Sequence, residues 1–391
     1  MPKIATGLDI LRETYSPKLK GRRIGLLCNQ ASLDCRFIPA KEVIRYCLPG
    51  HLKAVFGPQH GYGGLEQDNM IETGHAQDPE LQIPVFSLYA AMREPTPEML
   101  GLIDILIIDL QDVGTRVYTF AASMLNCLQA AAKARVSVLI LDRPNPLGGA
   151  RVEGNRLAPE LYSFVGPFSL PMRHGLTMAE LARLFQKVFN LDLDLDILPM
   201  QGWQRSMLWH ETGLRWLMPS PNMPLPETAY VYPGQVIWEG TNLSEGRGTC
   251  RPFEIFGAPF LNPQKIRTVL DPEASAGCSL QEFSFRPTFN KWADEICRGF
   301  MIHVTDYSLF QPYFLSLSLL KAVLETAPAH FKWKEPPYEY EFEKQPIDLI
   351  LGDSGLRKKL EKQADLREIR AQWQIQEKEY LAWRRSFLLY Q

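Results

Sequence analysis

The chain has 391 residues, of which 46% are hydrophobic and 22% charged, with a formal net charge of -2. That length exceeds what one core usually serves, so two domains are expected. The near-neutral charge argues against a nucleic-acid partner, which needs a strong basic excess, and no apolar run reaches the roughly 20 residues of a membrane span.

Residues 1–7 lack a basic segment followed by an apolar one, so no secretory signal is visible and a cytoplasmic location is expected. The seven cysteines are odd in number and show no paired two-residue spacing. Thiols in a reducing compartment explain them better than disulfides or a zinc site.

In chain order, five short apolar runs read as buried strands, and each ends in a polar cluster. Residues 24–28 lead to Asn29-Gln30, and residues 52–56 to Gly57-Pro58-Gln59-His60-Gly61. Residues 84–86 lead to Ser87-Leu88-Tyr89, and residues 105–108 to a segment holding Asp109, Asp112, Arg116 and Tyr118. Residues 136–141 lead to Asp142-Arg143-Pro144-Asn145-Pro146. Residues 120–133, rich in helix formers, lie between the fourth and fifth runs, so strand–helix–strand units and a parallel sheet are predicted. Ligands bind outside the carboxyl ends of such strands, and the polar clusters at that edge point to an enzyme.

A helix is predicted over 177–185, with Thr177 and Glu180 in capping-box spacing. Residues 193–198 alternate apolar and acidic side chains and read as an edge strand. The proline-rich stretch 218–226 suits neither helix nor central strand and reads as a crossing between domains 1–226 and 227–391. Beyond it, strands are expected near 282–285 and 300–304, a helix over 313–325, and a charged, solvated helix over 363–389.

No Gly-x-Gly-x-x-Gly turn follows the first strand and no Walker-type loop occurs, which argues against nucleotide cofactors. Neither a Gly-x-Ser-x-Gly elbow nor a His-Glu-x-x-His helix is present. Carboxylates, amides, arginines and aromatics remain, the equipment of a sugar site. Asp109 and Asp112 with Arg116 and Tyr118 form one candidate group; alternatively Asp109 caps the next helix and Arg116 neutralises it. Arg143 is a candidate anion binder, or else a salt-bridge partner of Asp142. Arg173 and His174 precede a helix at its positive end. His60, His174 and Asp109 show no metal-ligand spacing, and no metal is expected. The loop 238–249 carries Glu239, Asn242, Glu245 and Arg247 among three glycines. Carboxylate pairs are what glycoside cleavage needs; the alternative is a surface pair of Glu245 and Arg247.

Across these motifs the chain resembles the bacterial exo-acting β-N-acetylmuramidases, long known as a domain of unknown function. The matching runs are 56–61, 84–89, 95–100, 109–119, 142–149, 173–181, 219–224, 232–234, 239–242, 246–249 and 252–259, in order over about three quarters of the chain. The resemblance implies an α/β fold: a Rossmann-like, doubly wound parallel sheet without a dinucleotide, a smaller α+β C-terminal domain, and a cleft between them. It implies no cofactor, and release of N-acetylmuramic acid from the non-reducing end of a muropeptide or peptidoglycan fragment. The lactyl carboxylate of that sugar gives Arg116, Arg143, Arg173 and Arg247 a role, with Asn29, Tyr89, Tyr118, Asn145, His174, Asn242 and Glu245 as further substrate contacts.

One position departs from the family pattern. Where much of the family has Gly-Pro-Glu-His-Gly, with the glutamate as favoured catalytic residue, this chain has Gln59, and an amide cannot act as a general acid or base. Gln59 and His60 would still flank the scissile bond, the amide orienting water or the acetamido group. Glu66, Asp68, Asp109, Asp112, Glu239 and Glu245 are the carboxylates left to do the chemistry. Two outcomes follow: an exo-acting glycoside hydrolase, or a saccharide-binding homologue that has lost its acid.

Overall fold

The computed structural model describes residues 4–61, 63–64, 70–72, 74–89 and 92–391. Each apolar run becomes a strand, because side chains that are apolar on both faces need cover on both faces. These are β1 (Ile24–Cys28), β2 (Leu52–Gly57), β4 (Pro84–Ser87), β5 (Ile105–Asp109) and β6 (Ser137–Leu141). A two-residue strand β3 (Ala76–Gln77) and the edge strand β7 (Leu195–Leu198) complete a sheet ordered β3-β4-β2-β1-β5-β6-β7. All neighbours pair in parallel except β3 with β4. The chain winds outward from β1 in both directions, so the sheet is doubly wound. Cys28 pairs in register with Asp109, which puts the polar strand ends level along one edge.

The second sheet is small and antiparallel: β8 (Ile255–Ala258), β9 (Cys278–Phe285) and β10 (Cys297–Val304), ordered β8-β10-β9. The architecture is a two-domain α/β fold. Several elements fall where none was predicted, β8 and the helix Pro226–Gln235 among them. Strand β8 is four residues long and includes a glycine, too short for a periodic signal. The helix Pro226–Gln235 holds an internal Pro233 and is buried on nearly every side. Its Gly234 lies so close to the carbonyl of Pro312 that a Cβ would stand 1.9 Å from that oxygen, so the two helices meet backbone to backbone.

One apolar core runs from the first sheet through the helices Phe120–Ala134 and Met178–Val188 into Pro312–Thr326 and Leu366–Trp383. A second core covers the sheet's other face beneath the helix Ala40–Cys47. The capping box of Thr177 and Glu180 forms. The terminal helix differs from its expectation. Its Leu366, Ile369, Trp373 and Tyr380 are buried, and the tail beyond it returns to the first domain. Tyr380 donates to the carbonyl of His174 at 3.0 Å, Arg384 to that of Gly149 at 2.6 Å, and Tyr390 to Asp142 at 2.6 Å.

Arg116, only 1% exposed, does not neutralise Asp109. Its guanidinium donates to the carbonyls of Asn155 (2.9 Å), Leu170 (3.0 Å) and Ile350 (2.8 Å), binding two loops to the helix Pro346–Leu351. Arg116→Met would strand the buried carbonyls of Asn155 and Ile350, each costing about 1–3 kcal/mol, and would leave that of Leu170 with the Leu157 N–H alone. We predict a loss of about 3 kcal/mol or more in urea unfolding; a smaller loss would show that water or rearrangement satisfies these carbonyls.

Candidate active site

Strand β2 runs into a turn closed by the N–H of Gly61 on the carbonyl of Pro58 at 3.0 Å, with His60 at φ 72°. The turn presents Gln59, whose amide is held at both ends. Its Oε1 accepts from the Thr119 hydroxyl, and its Nε2 donates to the Tyr89 hydroxyl and to Glu339 Oε1, each at 3.0 Å. Tyr89, just past β4, donates to Glu339 Oε2 at 2.6 Å and accepts from the Met70 N–H at 2.9 Å. The first domain thus grips a carboxylate supplied by the second.

Glu339 lies on a turn in which Tyr338 and Glu341 exchange both backbone hydrogen bonds at 2.9 Å. Its two central residues, Glu339 and Tyr340, have φ of 46° and 65°, the signs of a type I′ turn, which ordinarily takes Asn-Gly. Bulky residues there are strained, and such strain persists only where surroundings over-determine it. They do: the Tyr340 ring has the Arg93 guanidinium 3.5 Å from its centroid and meets the Tyr89 ring edge-on at 5.4 Å.

The second carboxylate comes from the loop 238–249. Gly246 and Gly248, at φ 80° and 78°, bend it so that Arg247 points inward. Arg247 donates to Glu239 at 2.6 Å and pairs with Glu245 at 3.1 Å. The Tyr338 hydroxyl donates to the other oxygen of Glu239 at 2.6 Å. Lys291 pairs with Glu245 at 2.8 Å. This cluster is the Glu245–Arg247 pair foreseen for the surface, but it is buried.

The two glutamates end in opposite states. Burial pushes Glu339, only 4% exposed, up to about 7; the Tyr89 and Gln59 hydrogen bonds offset this only in part, and the charge of Glu239 adds to it. Burial acts on Glu239 in the same direction, but Arg247 and the Tyr338 hydroxyl outweigh it and hold Glu239 below the usual glutamate range. Gln59, His60, Tyr118, Glu239, Arg247 and Glu339 line one narrow pocket of about 30 Å³. It adjoins a chamber of about 310 Å³ that shares Glu239, Arg247 and Tyr338 with it and reaches Glu245. Together they approach the size of small-ligand sites.

The other candidate residues lie elsewhere. Asp109 is buried beneath Arg143, which binds it through two nitrogens at 2.5 and 2.8 Å and also donates to the Leu33 carbonyl. Asp142 therefore does not pair with Arg143. Arg143 lines a separate cavity of about 400 Å³ outside the ends of β1, β5 and β6. Arg173 donates to the Leu147 carbonyl and lines a third cavity of about 460 Å³. Asp112 accepts from the Gly114 N–H at 2.7 Å and stands 3.6 Å from His174 Nε2. Asn29 donates to the carbonyls of Gln111 and Pro219, Asn145 to that of Leu176, and Asn242 to that of His330, all tying loops together. Glu66 and Asp68 lie outside the described residues. Among the described residues no group of three or more His, Cys, Asp or Glu could hold a metal.

The residues of the pocket that were not anticipated include three that hold its carboxylates and amide: Glu339, Tyr338 and Thr119. Two of them sit in Tyr338-Glu339-Tyr340-Glu341, which alternates like a strand and contains no turn residue. The one available signal was a carboxylate set between tyrosines just after Pro336-Pro337.

The N-terminal family model of exo-β-N-acetylmuramidase NamZ matches residues 24–227, and its C-terminal model matches residues 230–390. The chain belongs to the NamZ family. The peptidoglycan β-N-acetylmuramidase NamZ of Bacillus subtilis (strain 168) is 38% identical over 389 residues, covering 100% of this chain and 92% of its own. Two crystallised DUF1343 family proteins of Bacteroides fragilis NCTC 9343 share the fold. The first has a TM-score of 0.88 and 29% identity, covering all of both chains. The second has a TM-score of 0.79 and 25% identity, covering 100% of this chain and 99% of its own. Within the NamZ frame, Gln59 falls in the N-terminal match and both glutamates in the C-terminal one.

Because Glu339 is raised from 4.5 to about 7 on folding, the folded chain holds its proton more tightly than the unfolded one. Its contribution is complete below about pH 4.5 and is lost as pH rises through about 7. Glu339→Gln removes this titration, so its stability relative to the native protein should rise by up to about 3 kcal/mol between pH 4.5 and pH 8. Urea unfolding at both pH values measures it; a constant difference would mean that Glu339 titrates normally.

Proposed function

We propose that this chain is an exo-acting glycoside hydrolase that releases N-acetylmuramic acid, or a related amino sugar, from the non-reducing end of peptidoglycan-derived saccharides. Membership of the NamZ family supports the reaction class. The observation that carries the reading is a pair of buried glutamates in one pocket, Glu239 bound by Arg247 and Glu339 by the Gln59 amide and Tyr89 hydroxyl; that asymmetry separates their proton affinities, the division of labour that glycoside cleavage requires. Glu339, protonated up to about neutral pH, gives its proton to the leaving oxygen. Glu239, held ionised by Arg247, stabilises the oxocarbenium-like centre; water then bonds to the anomeric carbon in place of the departed oxygen, and its proton restores Glu339. Each oxygen of Glu339 accepts one hydrogen bond from Gln59 or Tyr89 and keeps a further lone-pair position for the proton. Gln59 positions the acid without competing for its proton. The same reading carries a place in cell-wall recycling in the cytoplasm, where cysteines lacking any paired spacing would stay reduced.

Hydrolysis of a chromogenic β-N-acetylmuramide tests this. Glu339→Gln and Glu239→Gln should each lower kcat at least about 100-fold, and activity should fall as pH rises through about 7. In Glu239→Gln the residual activity should lose its alkaline limb at a lower pH, because removing a neighbouring negative charge eases ionisation of Glu339. Full activity in Glu339→Gln would exclude it as the acid.

A saccharide-binding protein without catalysis is the second reading, and the amide at position 59 favours it. Gln59→Glu would set two carboxyl groups about 3.0 Å apart, which must then share a proton. If the native protein is a hydrolase, that change should move its alkaline limb upward. If it is a binder, only the variant should turn over.

A further inference from the structure

We propose that Lys334 selects the substrate of this site by taking the carboxylate of an acidic amino sugar; the inference rests on the hydrolase reading above and names the residue that discriminates. The 310 Å³ chamber beside the acid pocket is lined, among the described residues, by three cations and two carboxylates: Arg247, Lys291 and Lys334 against Glu239 and Glu245. The cations are not equivalent. Arg247 is bound by both glutamates. Lys291 uses its three donors on Glu245 and the carbonyls of Trp238 and Leu243.

Lys334 makes no ion pair with any described carboxylate. Its backbone N–H donates to Gly240 at 2.9 Å, and its ammonium stands 5.3 Å from the centroid of the Tyr338 ring. That ring's hydroxyl holds Glu239, so the cation is seated one phenol away from the ionised carboxylate of the pocket. A cation–π seat attracts an ammonium without neutralising it. Counted over the described residues, a neutral sugar leaves the chamber with one positive charge in excess, whereas a sugar bearing one carboxylate balances it. The arginines that the strand ends offered for this role are engaged elsewhere: Arg116 on carbonyls, Arg143 on Asp109, Arg173 at another cavity.

The carboxylate in question is the sugar's own, and an esterified analogue separates it from every other contact. The measurement is kcat/KM for a chromogenic β-N-acetylmuramide and for its lactyl methyl ester, with native protein, Lys334→Met and Lys334→Arg. Lys334→Met should reduce the preference for acid over ester at least about tenfold, the value of a charged hydrogen bond, and Lys334→Arg should keep most of it. Equal losses on acid and ester would show that Lys334 merely supports Tyr338, and an unchanged preference would show that it touches no carboxylate; either overturns the proposal. If the native protein cleaves neither compound, the hydrolase reading fails and Lys334 is judged by calorimetry. Binding of N-acetylmuramic acid, but not of its methyl ester, should then weaken at least about tenfold in Lys334→Met, and equal affinities would overturn it.

Discussion

Two carboxylates buried in one pocket cannot both carry a charge at low cost, and the arrangement of this site follows from which of them is relieved. Arg247 and the Tyr338 hydroxyl bind both oxygens of Glu239. Among the described residues, Glu339 receives hydrogen bonds from neutral donors alone, Gln59 and Tyr89. The asymmetry of partners is what separates the two groups. It also gives the Gln59 amide a physical reason: a third carboxyl at that point would need a proton of its own, whereas an amide donates to Glu339 without adding charge.

The constraint spans the two domains. Gln59, Tyr89 and Thr119 stand at the edge of the seven-stranded sheet, while Glu239, Arg247, Tyr338 and Glu339 belong to the second half of the chain. The site therefore depends on their docking, and several features secure it. An apolar core crosses the join, Arg116 binds loops of the first domain to the helix Pro346–Leu351, and the chain's tail ends on Asp142. A rigid frame of this kind can hold Glu339 and Tyr340 at positive φ, a conformation neither residue would adopt alone. The strain is local, and its effect is to put an acid where a short turn would otherwise place Asn-Gly.

Much of the fold was legible because periodicity and burial are properties of neighbouring residues. Runs apolar on both faces had to be central parallel strands, and the alternating run ending at Leu198 had to be an edge. Elements without such a signal were not visible: β8 is too short, and the helix Pro226–Gln235 hides behind prolines that ordinarily forbid one. The candidate site was legible unevenly. Gln59, His60, Tyr118, Glu239 and Arg247 do converge, yet the strand-end arginines disperse over separate cavities or carbonyl contacts. Sharing one sheet edge puts residues on the same side of the molecule, but a sheet seven strands wide has room for several cavities along that side.

What the sequence by itself determined is the chemistry available: a doubly wound sheet with a polar edge, carboxylates in glycine-rich loops, and an amide where a glutamate is expected. The first two follow from residue type and short-range pattern, and the third from the resemblance to the exo-acting β-N-acetylmuramidases. What only the tertiary structure decided is which carboxylates meet and in what state. Glu339 lies 280 residues from Gln59 in the chain and 3.0 Å from it in space, and its proton affinity is set by that burial and by Arg247 choosing Glu239 instead. Proton affinity and charge pairing are properties of an environment, and an environment exists only once distant segments have packed.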